Sequence, residues 1–167
     1  YYEYGRICRV QGKHEQSAKL FEKATLIQPD NYTPQVFLSS AYRSLNMVDE
    51  AVESNLQAIK ILKKHLDLNP DDVRALYLGA MSLQYAGFND EATEWMNRAI
   101  SLAPYGTSIL YNAACFYSSL GKIDEAIGYF EKAINTGYAS KEWIENDVDL
   151  DPIRDDPRFI EIFNRMK

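Results

Sequence analysis

The chain has 167 residues and a formal net charge of −6, with 46% apolar and 25% charged residues. This composition is typical of a folded domain and excludes disorder over the whole chain. The negative charge argues against nucleic-acid binding, which requires a basic surface, and no apolar run approaches the roughly 20 residues that span a bilayer.

Small residues repeat along the chain at fixed intervals. Ala24, Ala58, Ala99 and Ala133 are separated by 34, 41 and 34 residues. The same intervals separate two further sets, which are Gly12, Asn46, Gly87 and Gly121, and Ser17, Ala51, Ala92 and Ala126. Such a period is typical of a solenoid of helix–turn–helix units, which stack because no unit buries its apolar face alone.

Each unit is predicted to contain two helices. The repeated Gly or Asn suits the left-handed cap at the end of a first helix, and proline after a second helix ends it. We expect first helices near residues 1–11, 34–45, 72–86 and 107–119. We expect second helices near residues 14–27, 48–67, 89–102 and 122–136.

The positions of small and large residues resemble the tetratricopeptide repeat, a helical hairpin of this period. The eighth position of each unit is small, as the family favours: Gly5, Ser39, Ala80 and Ala114. The resemblance covers roughly residues 1–137 and implies an all-α, right-handed superhelical solenoid of about four hairpins. The expected units are 1–31, 32–72, 73–106 and 107–137, followed by C-terminal capping helices in 138–167.

The second unit carries seven extra residues between Ala58 and Pro70. Seven residues are close to two helical turns, so a longer second helix keeps its buried face in phase. We expect Leu56, Ile59, Leu62 and Leu66 to continue one apolar stripe. The lysines of segment 60–64 are then either a solvated face or a projecting contact site, and Asn55 suggests altered packing in this unit.

The period stops after Gly137. Asp156 and Pro157 predict the start of a final helix, whose apolar side covers the end of the solenoid. Asp147, Asp149 and Asp151 match three ligand positions of a calcium loop, but the required glycine and glutamate are missing, so we expect capping and solubility roles. The tail also resembles the closing segment of bacterial tetratricopeptide signalling proteins.

The sequence does not predict an enzyme. His14 and His65 form no metal-binding spacing, and neither a phosphate-binding glycine loop nor a nucleophile motif is present. Cys115 lies among apolar neighbours and is expected to be an inert thiol. We therefore expect no catalytic residue, no metal and no cofactor.

The family resemblance implies a binding groove lined by the first helices. Position by position, its residues here are Tyr2, Arg6, Arg9, Val36, Ser40, Arg43, Arg74, Tyr77, Met81, Gln84, Tyr111, Asn112 and Cys115. Thr33, Ser108 and Ser118 occupy further positions of the same kind. Arginine and tyrosine dominate the energetics of many interfaces.

We expect the groove to bind a protein or peptide, and two interpretations of its arginines stay open. In one, Arg6, Arg9, Arg43 and Arg74 bind an acidic segment of a partner. In the other, some of these arginines pair with acids of their own solenoid. Chaperone tails are disfavoured, because Tyr2, Arg6 and Phe37 replace the residues with which the family's co-chaperones bind them.

The alternative function is a regulatory or self-associating segment of a larger signalling enzyme. The first residue is Tyr1 rather than Met, which predicts a longer parent chain. An exposed first unit, with Tyr1 and Tyr4 near its edge, would support a homo-oligomer. With no visible signal peptide, we expect a cytoplasmic, bacterial scaffold with no nucleic-acid or membrane partner.

Overall fold

A computed structural model describes residues 1–138 and 140–166, and over these residues the chain forms helices and no strands. The α-helices are α1 Tyr2–Val10, α2 His14–Ile27, α3 Tyr32–Ser44, α4 Val48–Leu68, α5 Val73–Tyr85, α6 Asn89–Leu102, α7 Thr107–Ser119, α8 Ile123–Asn135, α9 Lys141–Glu145 and α10 Pro157–Asn164. A 3₁₀ helix spans Val148–Ile153. Ala139 and Lys167, both within the predicted capping segment 138–167, lie outside the described residues.

The first eight helices form four consecutive hairpins. Within each hairpin the two helices pack together, and α2 packs on α3 and α4 on α5 to join the hairpins. The repeated alanines Ala58, Ala99 and Ala133 are fully buried, because only small side chains let neighbouring helices approach so closely. The predicted all-α solenoid of about four hairpins is confirmed.

The second repeated set turns the chain between the two helices of each hairpin. Gly12, Asn46, Gly87 and Gly121 all have positive φ, between 58° and 85°. Glycine adopts this left-handed conformation freely and asparagine more readily than most other residues. The backbone of the turn therefore explains why these positions recur.

Helix α3 begins at Tyr32, two residues before the predicted start at Pro34. The Asn31 side chain accepts a hydrogen bond from the Thr33 amide at 3.0 Å and caps the helix. Pro34 then lies in the first turn, where its missing N–H removes no helical hydrogen bond.

Helix α4 contains the predicted extension, but its buried face differs from the expected one. Leu56 is 51% exposed, so it does not belong to the apolar stripe, whereas Ile59 and Leu62 are buried. Asn55 lies on the buried face instead and donates a hydrogen bond to the Ser82 carbonyl of α5 at 2.6 Å. This bond satisfies the buried amide group of Asn55 and accounts for the altered packing expected in this unit.

The lysines of the extension are exposed and partly paired. Lys63 lies 2.9 Å from Glu91, and Lys64 lies 4.0 Å from Asp30. Lys60 makes no ion pair within residues 1–138 and 140–166. A role for this segment as a contact site stays a prediction.

The end of the α4 extension is tied to α5 through Asp72. Its carboxylate accepts a hydrogen bond from the Ala75 amide at 3.1 Å and lies 2.7 Å from His65 Nε2. Partial burial would raise the pKa of Asp72, but the Ala75 amide and His65 outweigh it and hold this pKa below its ordinary value.

Replacing this cap, in Asp72→Ala, is expected to lower the free energy of unfolding by about 1 kcal/mol at neutral pH. Because the folded pKa is lowered, the stabilisation is present above the carboxyl's ordinary pKa of about 3.9 and is lost as pH falls through the folded value. Urea unfolding at several pH values measures the difference. Asp71→Ala, which removes only an exposed ion pair with Arg98, is the control; an equal, pH-independent loss in both variants would contradict the prediction.

The tail covers the last hairpin. Phe159 of α10 stacks on Phe130 of α8 with ring centroids 4.6 Å apart, and the 3₁₀ helix packs on α7. Asp156 caps α10 by accepting a hydrogen bond from the Arg158 amide, as predicted. Within the described residues, no helix is long and apolar enough to cross a membrane.

Candidate functional site

The first helices of the four hairpins face one shared groove of about 600 Å³. All of the predicted groove residues line it except Tyr2 and Gln84. Tyr2 lies beside it, because its hydroxyl accepts a hydrogen bond from Arg74 at 3.0 Å. Of the secondary positions, Ser108 lines the groove, whereas Thr33 and Ser118 are buried and do not.

The C-terminal tail enters this groove. Trp143, Asp147 and Asp149 line it together with residues of α1, α3 and α7. Asn146 donates a hydrogen bond to the Val10 carbonyl at 3.1 Å and packs against Gly12, where a Cβ would lie 2.8 Å from its side-chain oxygen. The tail therefore connects the fourth hairpin to the first across the concave side.

Asp147 is the centre of a buried polar cluster. Its carboxylate lies 3.4 Å from the Arg9 guanidinium and accepts hydrogen bonds from the Tyr111 hydroxyl at 2.8 Å and the Trp143 indole at 3.2 Å. Arg9 also donates to the Ser40 hydroxyl at 2.7 Å and lies 5.0 Å from the Trp143 ring centroid. Arg9 and Asp147 are each less than 5% exposed, so this pair is removed from water.

Asp149 pairs with the second-hairpin arginine. Its two oxygens accept hydrogen bonds from Arg43 at 2.7 and 3.4 Å, and Arg43 also reaches Ser40 at 3.3 Å. The Arg43 guanidinium lies 3.5 Å from the centroid of the Tyr85 ring, within range of a cation–π interaction. Ser40 thus links the two arginine–aspartate pairs.

The pKa values of the two carboxyl groups are shifted in opposite directions. Burial raises the pKa of Asp147, and the neighbouring Asp149 charge raises it further. Burial would also raise the pKa of Asp149, but the adjacent Arg43 outweighs it and holds that pKa below its ordinary value. Arg43–Asp149 is therefore the pair that favours two full charges.

These contacts correct the expected role of the aspartates. Asp147 does accept a hydrogen bond from the Asp149 amide as a local cap, but neither side chain is a solubilising surface group. Arg9 is buried and Arg43 is partly buried, and arginines removed from water need anions, which the acids of the tail provide. For Arg9 and Arg43, the interpretation in which groove arginines pair with acids of their own chain describes the structure.

Arg6 and Arg74 remain at the mouth of the groove. Arg6 lies 3.3 Å from Glu3, an exposed pair one turn apart on α1. Arg74 hydrogen-bonds Tyr2 and has no acidic partner among the residues described. Tyr77, Asn112 and Ser108 also line the groove and offer hydroxyl and amide groups.

Sequence reasoning missed the tail's share of the groove, namely Tyr138, Trp143, Asp147 and Asp149. Tyr138 stacks on Tyr111 with centroids 4.1 Å apart. The sequence contains one signal for this contact. Arginines occupy groove positions of an acidic chain, and closely spaced aspartates in the tail could pair with them. The repeat period carries no information about where a non-repeating segment packs.

The cysteine of the groove is not an activated nucleophile. Burial raises the pKa of the Cys115 thiol well above its ordinary value, which disfavours the reactive thiolate. In the two described stretches, no group of three His, Cys, Asp or Glu side chains is placed to hold a metal ion.

Comparison with known proteins gives one family. The tetratricopeptide repeat matches residues 1–31 and 107–136. Protein IFIT1 homolog B of Homo sapiens is 28% identical over 134 residues, which are 78% of this chain and 28% of that protein. Interferon-induced protein with tetratricopeptide repeats 3 of Mus musculus is 29% identical over 125 residues, 75% of this chain and 30% of that protein. The chain spans less than a third of these curated relatives.

Among solved structures, a thermophilic TPR protein of Thermus thermophilus is 18% identical. The match covers 89% of this chain and 96% of that chain, with a TM-score of 0.49. The bacterial source expected for this chain stays a prediction, as does the resemblance of the tail to bacterial signalling proteins. The repeated positions, the four hairpins and the matched segments agree: the chain is built from tetratricopeptide repeats, which the family's model matches at residues 1–31 and 107–136.

Proposed function

We propose that this chain is a non-catalytic protein-interaction module that binds a peptide or partner domain in its concave groove. The observation that carries the proposal is the open groove of about 600 Å³, lined along its length by the first helices of all four hairpins. A cavity of this size with a few polar groups is typical of a binding site. Membership of a family of stacked repeats supports the same function, because such folds present long concave surfaces.

The partner we propose is acidic at one point of contact. Arg6 and Arg74 both lie at the mouth, and neither forms an ion pair with an acid inside the groove among the residues that the structure describes. Tyr77 and Met81 line the wall beside them and can pack against apolar side chains. Arg9 and Arg43, which pair with the tail, are not assigned to the partner in this proposal.

Charge reversal at the mouth tests this proposal. A peptide selected from a random phage-displayed library on the wild-type chain would be titrated against Arg6→Glu and Arg74→Glu by fluorescence anisotropy. We expect each variant to weaken binding by about tenfold or more and to flatten its dependence on salt, because a favourable charge contact becomes repulsive.

Arg98→Glu is the control, because Arg98 is exposed on α6 and pairs with Asp71 outside the groove. Unchanged affinity in both mouth variants would remove the acidic contact. A library that yields no groove-binding peptide would remove the proposed function itself.

A second candidate is a regulatory or self-associating segment of a larger protein. It is favoured by the outer side of α1, where Tyr1, Tyr4 and Ile7 are each more than half exposed. Exposed apolar residues in a cluster mark association surfaces. Light scattering that shows a monomer at all concentrations would count against self-association through this edge.

A further inference from the structure

The tail segment 141–149, which we call the strap, occupies the deep part of the groove as a ligand would. Its two aspartates, which are separated by one residue, form ion pairs with Arg9 and Arg43 on two different hairpins. Ser40 contacts both guanidiniums, at 2.7 and 3.3 Å, and holds them side by side. The pair of arginines is therefore a built site for two anionic groups, filled here by the chain itself.

The strap is held differently from the rest of the tail. Within the strap, Ile144 is the fully buried apolar side chain, and Trp143 is half-buried against Phe37 and Arg9. The segment from Leu150 onward packs on α7 and α8 through its own buried residues, among them Ile153 and Phe159. Release of the strap would expose Ile144 and Trp143 and break the hydrogen bonds that Arg154 donates to the Ile144 and Asp147 carbonyls. The end cap would keep its own buried contacts.

A competing acidic segment would meet a small electrostatic barrier. Buried arginines are strongly destabilising when they lose their anions, but an incoming peptide that brings two carboxylates replaces one set of ion pairs by another. The free energy of the exchange then depends on the apolar contacts of Ile144 and Trp143. It also depends on the high effective concentration of the strap, which is covalently tethered beside its own site. Because only open molecules bind the competitor, its apparent Kd equals the intrinsic Kd divided by the fraction of molecules in which the strap is released.

We infer that the strap is an internal ligand that masks a second anion site, Arg9 and Arg43, and that this site accepts a partner segment with two acidic side chains separated by one residue. The inference rests on the proposed function, since it assigns a further partner contact and a regulation to the same groove. It also gives the strap a role beyond closing the solenoid.

The test uses the full chain and a fluorescein-labelled, end-capped peptide with the sequence of residues 141–151. A matched peptide carries asparagine at the two positions that correspond to Asp147 and Asp149. We expect the variant Asp147→Asn/Asp149→Asn to bind the acidic peptide about tenfold or more tightly than the wild type, because its own strap no longer supplies the anions. The asparagine peptide should bind neither protein.

The matched control is Asp155→Asn, which removes an exposed acid that contacts neither Arg9 nor Arg43. It should bind the acidic peptide like the wild type. A folded double variant with wild-type affinity would overturn the inference. Addition of Arg9→Gln to the double variant should abolish the gain.

A second measurement applies if the double variant does not fold. In a Trp95→Phe background, Trp143 is the remaining tryptophan, because the chain has two. An excess of the unlabelled acidic peptide, made with phenylalanine at the position of Trp143 so that it adds no tryptophan, should raise acrylamide quenching of Trp143. The asparagine peptide with the same phenylalanine should not. Unchanged quenching overturns the inference; the proposed function stands if library-selected peptides still bind through Arg6 and Arg74.

Discussion

Arg43→Met is expected to lower the free energy of unfolding by about 3–5 kcal/mol at neutral pH, because it leaves a buried carboxylate without its cation. Asp149 is 7% exposed, and Arg43 is its partner at 2.7 Å. The variant also removes the contact between the guanidinium and the Tyr85 ring. Methionine keeps much of the side-chain volume, so the loss reports chiefly on the charge.

The effect depends on pH in a defined direction. The folded-state pKa of Asp149 is lowered by Arg43, so the pair stabilises the wild type above the ordinary carboxyl pKa of about 3.9. This stabilisation is lost as pH falls through the folded value, where Asp149 takes up a proton. The difference between wild type and variant should therefore be largest near neutral pH and shrink in acid.

Urea unfolding of Arg43→Met and Arg98→Met at matched pH gives the measurement and its control. Arg98 forms an exposed pair with Asp71, and its removal is expected to change stability by no more than about 1 kcal/mol. Replacing both members of the buried pair, in Arg43→Met/Asp149→Leu, should recover most of the loss, because no unpaired charge remains. Equal losses in the two single variants would show that Asp149 is not buried against Arg43 in solution.

The sequence predicts the solenoid well because the same physical requirement recurs in every hairpin. Ala58, Ala99 and Ala133 are buried where helices approach closely, and Gly87 and Gly121 turn the chain at positive φ. Each requirement recurs at the equivalent position of several hairpins, so a single exception such as Asn46 does not obscure the pattern. The direction in which the first helices face follows from the family resemblance.

The tail was less predictable, because its position depends on contacts between residues far apart in sequence. Asp147 meets Arg9 across 138 positions, and Asp149 meets Arg43 across 106. Local pattern accounts for the cap at Asp156 but carries no information about which surface a short acidic segment covers. The prediction that Leu56 lies on the buried face of α4 is wrong for a similar reason. Asn55 lies on that face instead, because its amide donates a hydrogen bond to a carbonyl of the next hairpin.

The groove combines both kinds of information. Its walls come from repeated positions, and its floor comes from a segment outside the repeat. As a result, Arg9 and Arg43 are paired with aspartates of the tail. Arg6 has an exposed pair with Glu3 outside the tail, and Arg74 has no acidic partner among the described residues. In the proposed function, a partner that approaches the folded chain meets Arg6 and Arg74 first, and release of the strap determines whether it reaches Arg9 and Arg43.

Phe130→Ala is expected to lower the free energy of unfolding by about 3–5 kcal/mol, the range for truncating a fully buried phenylalanine. Phe130 is 0% exposed and stacks on Phe159 of α10, so its loss opens a cavity between the fourth hairpin and the end cap. Part of the loss should appear as weakened docking of α10, because Phe159 loses a ring contact that is worth about 0.5–1.5 kcal/mol beyond area burial.

The control is Phe88→Ala, which truncates a phenylalanine that is 52% exposed at the start of α6. Substitutions at exposed positions usually change stability by about 0.5 kcal/mol or less, although the half-buried part of this ring allows a somewhat larger effect. Urea unfolding of both variants gives the comparison, and amide hydrogen exchange reports on α10. Because the strap joins this end cap to the groove, faster exchange in α10 of Phe130→Ala with unchanged protection of the Trp143 indole would show that cap and strap are held independently. Losses of similar size in the two variants would contradict the burial of Phe130 between α8 and α10.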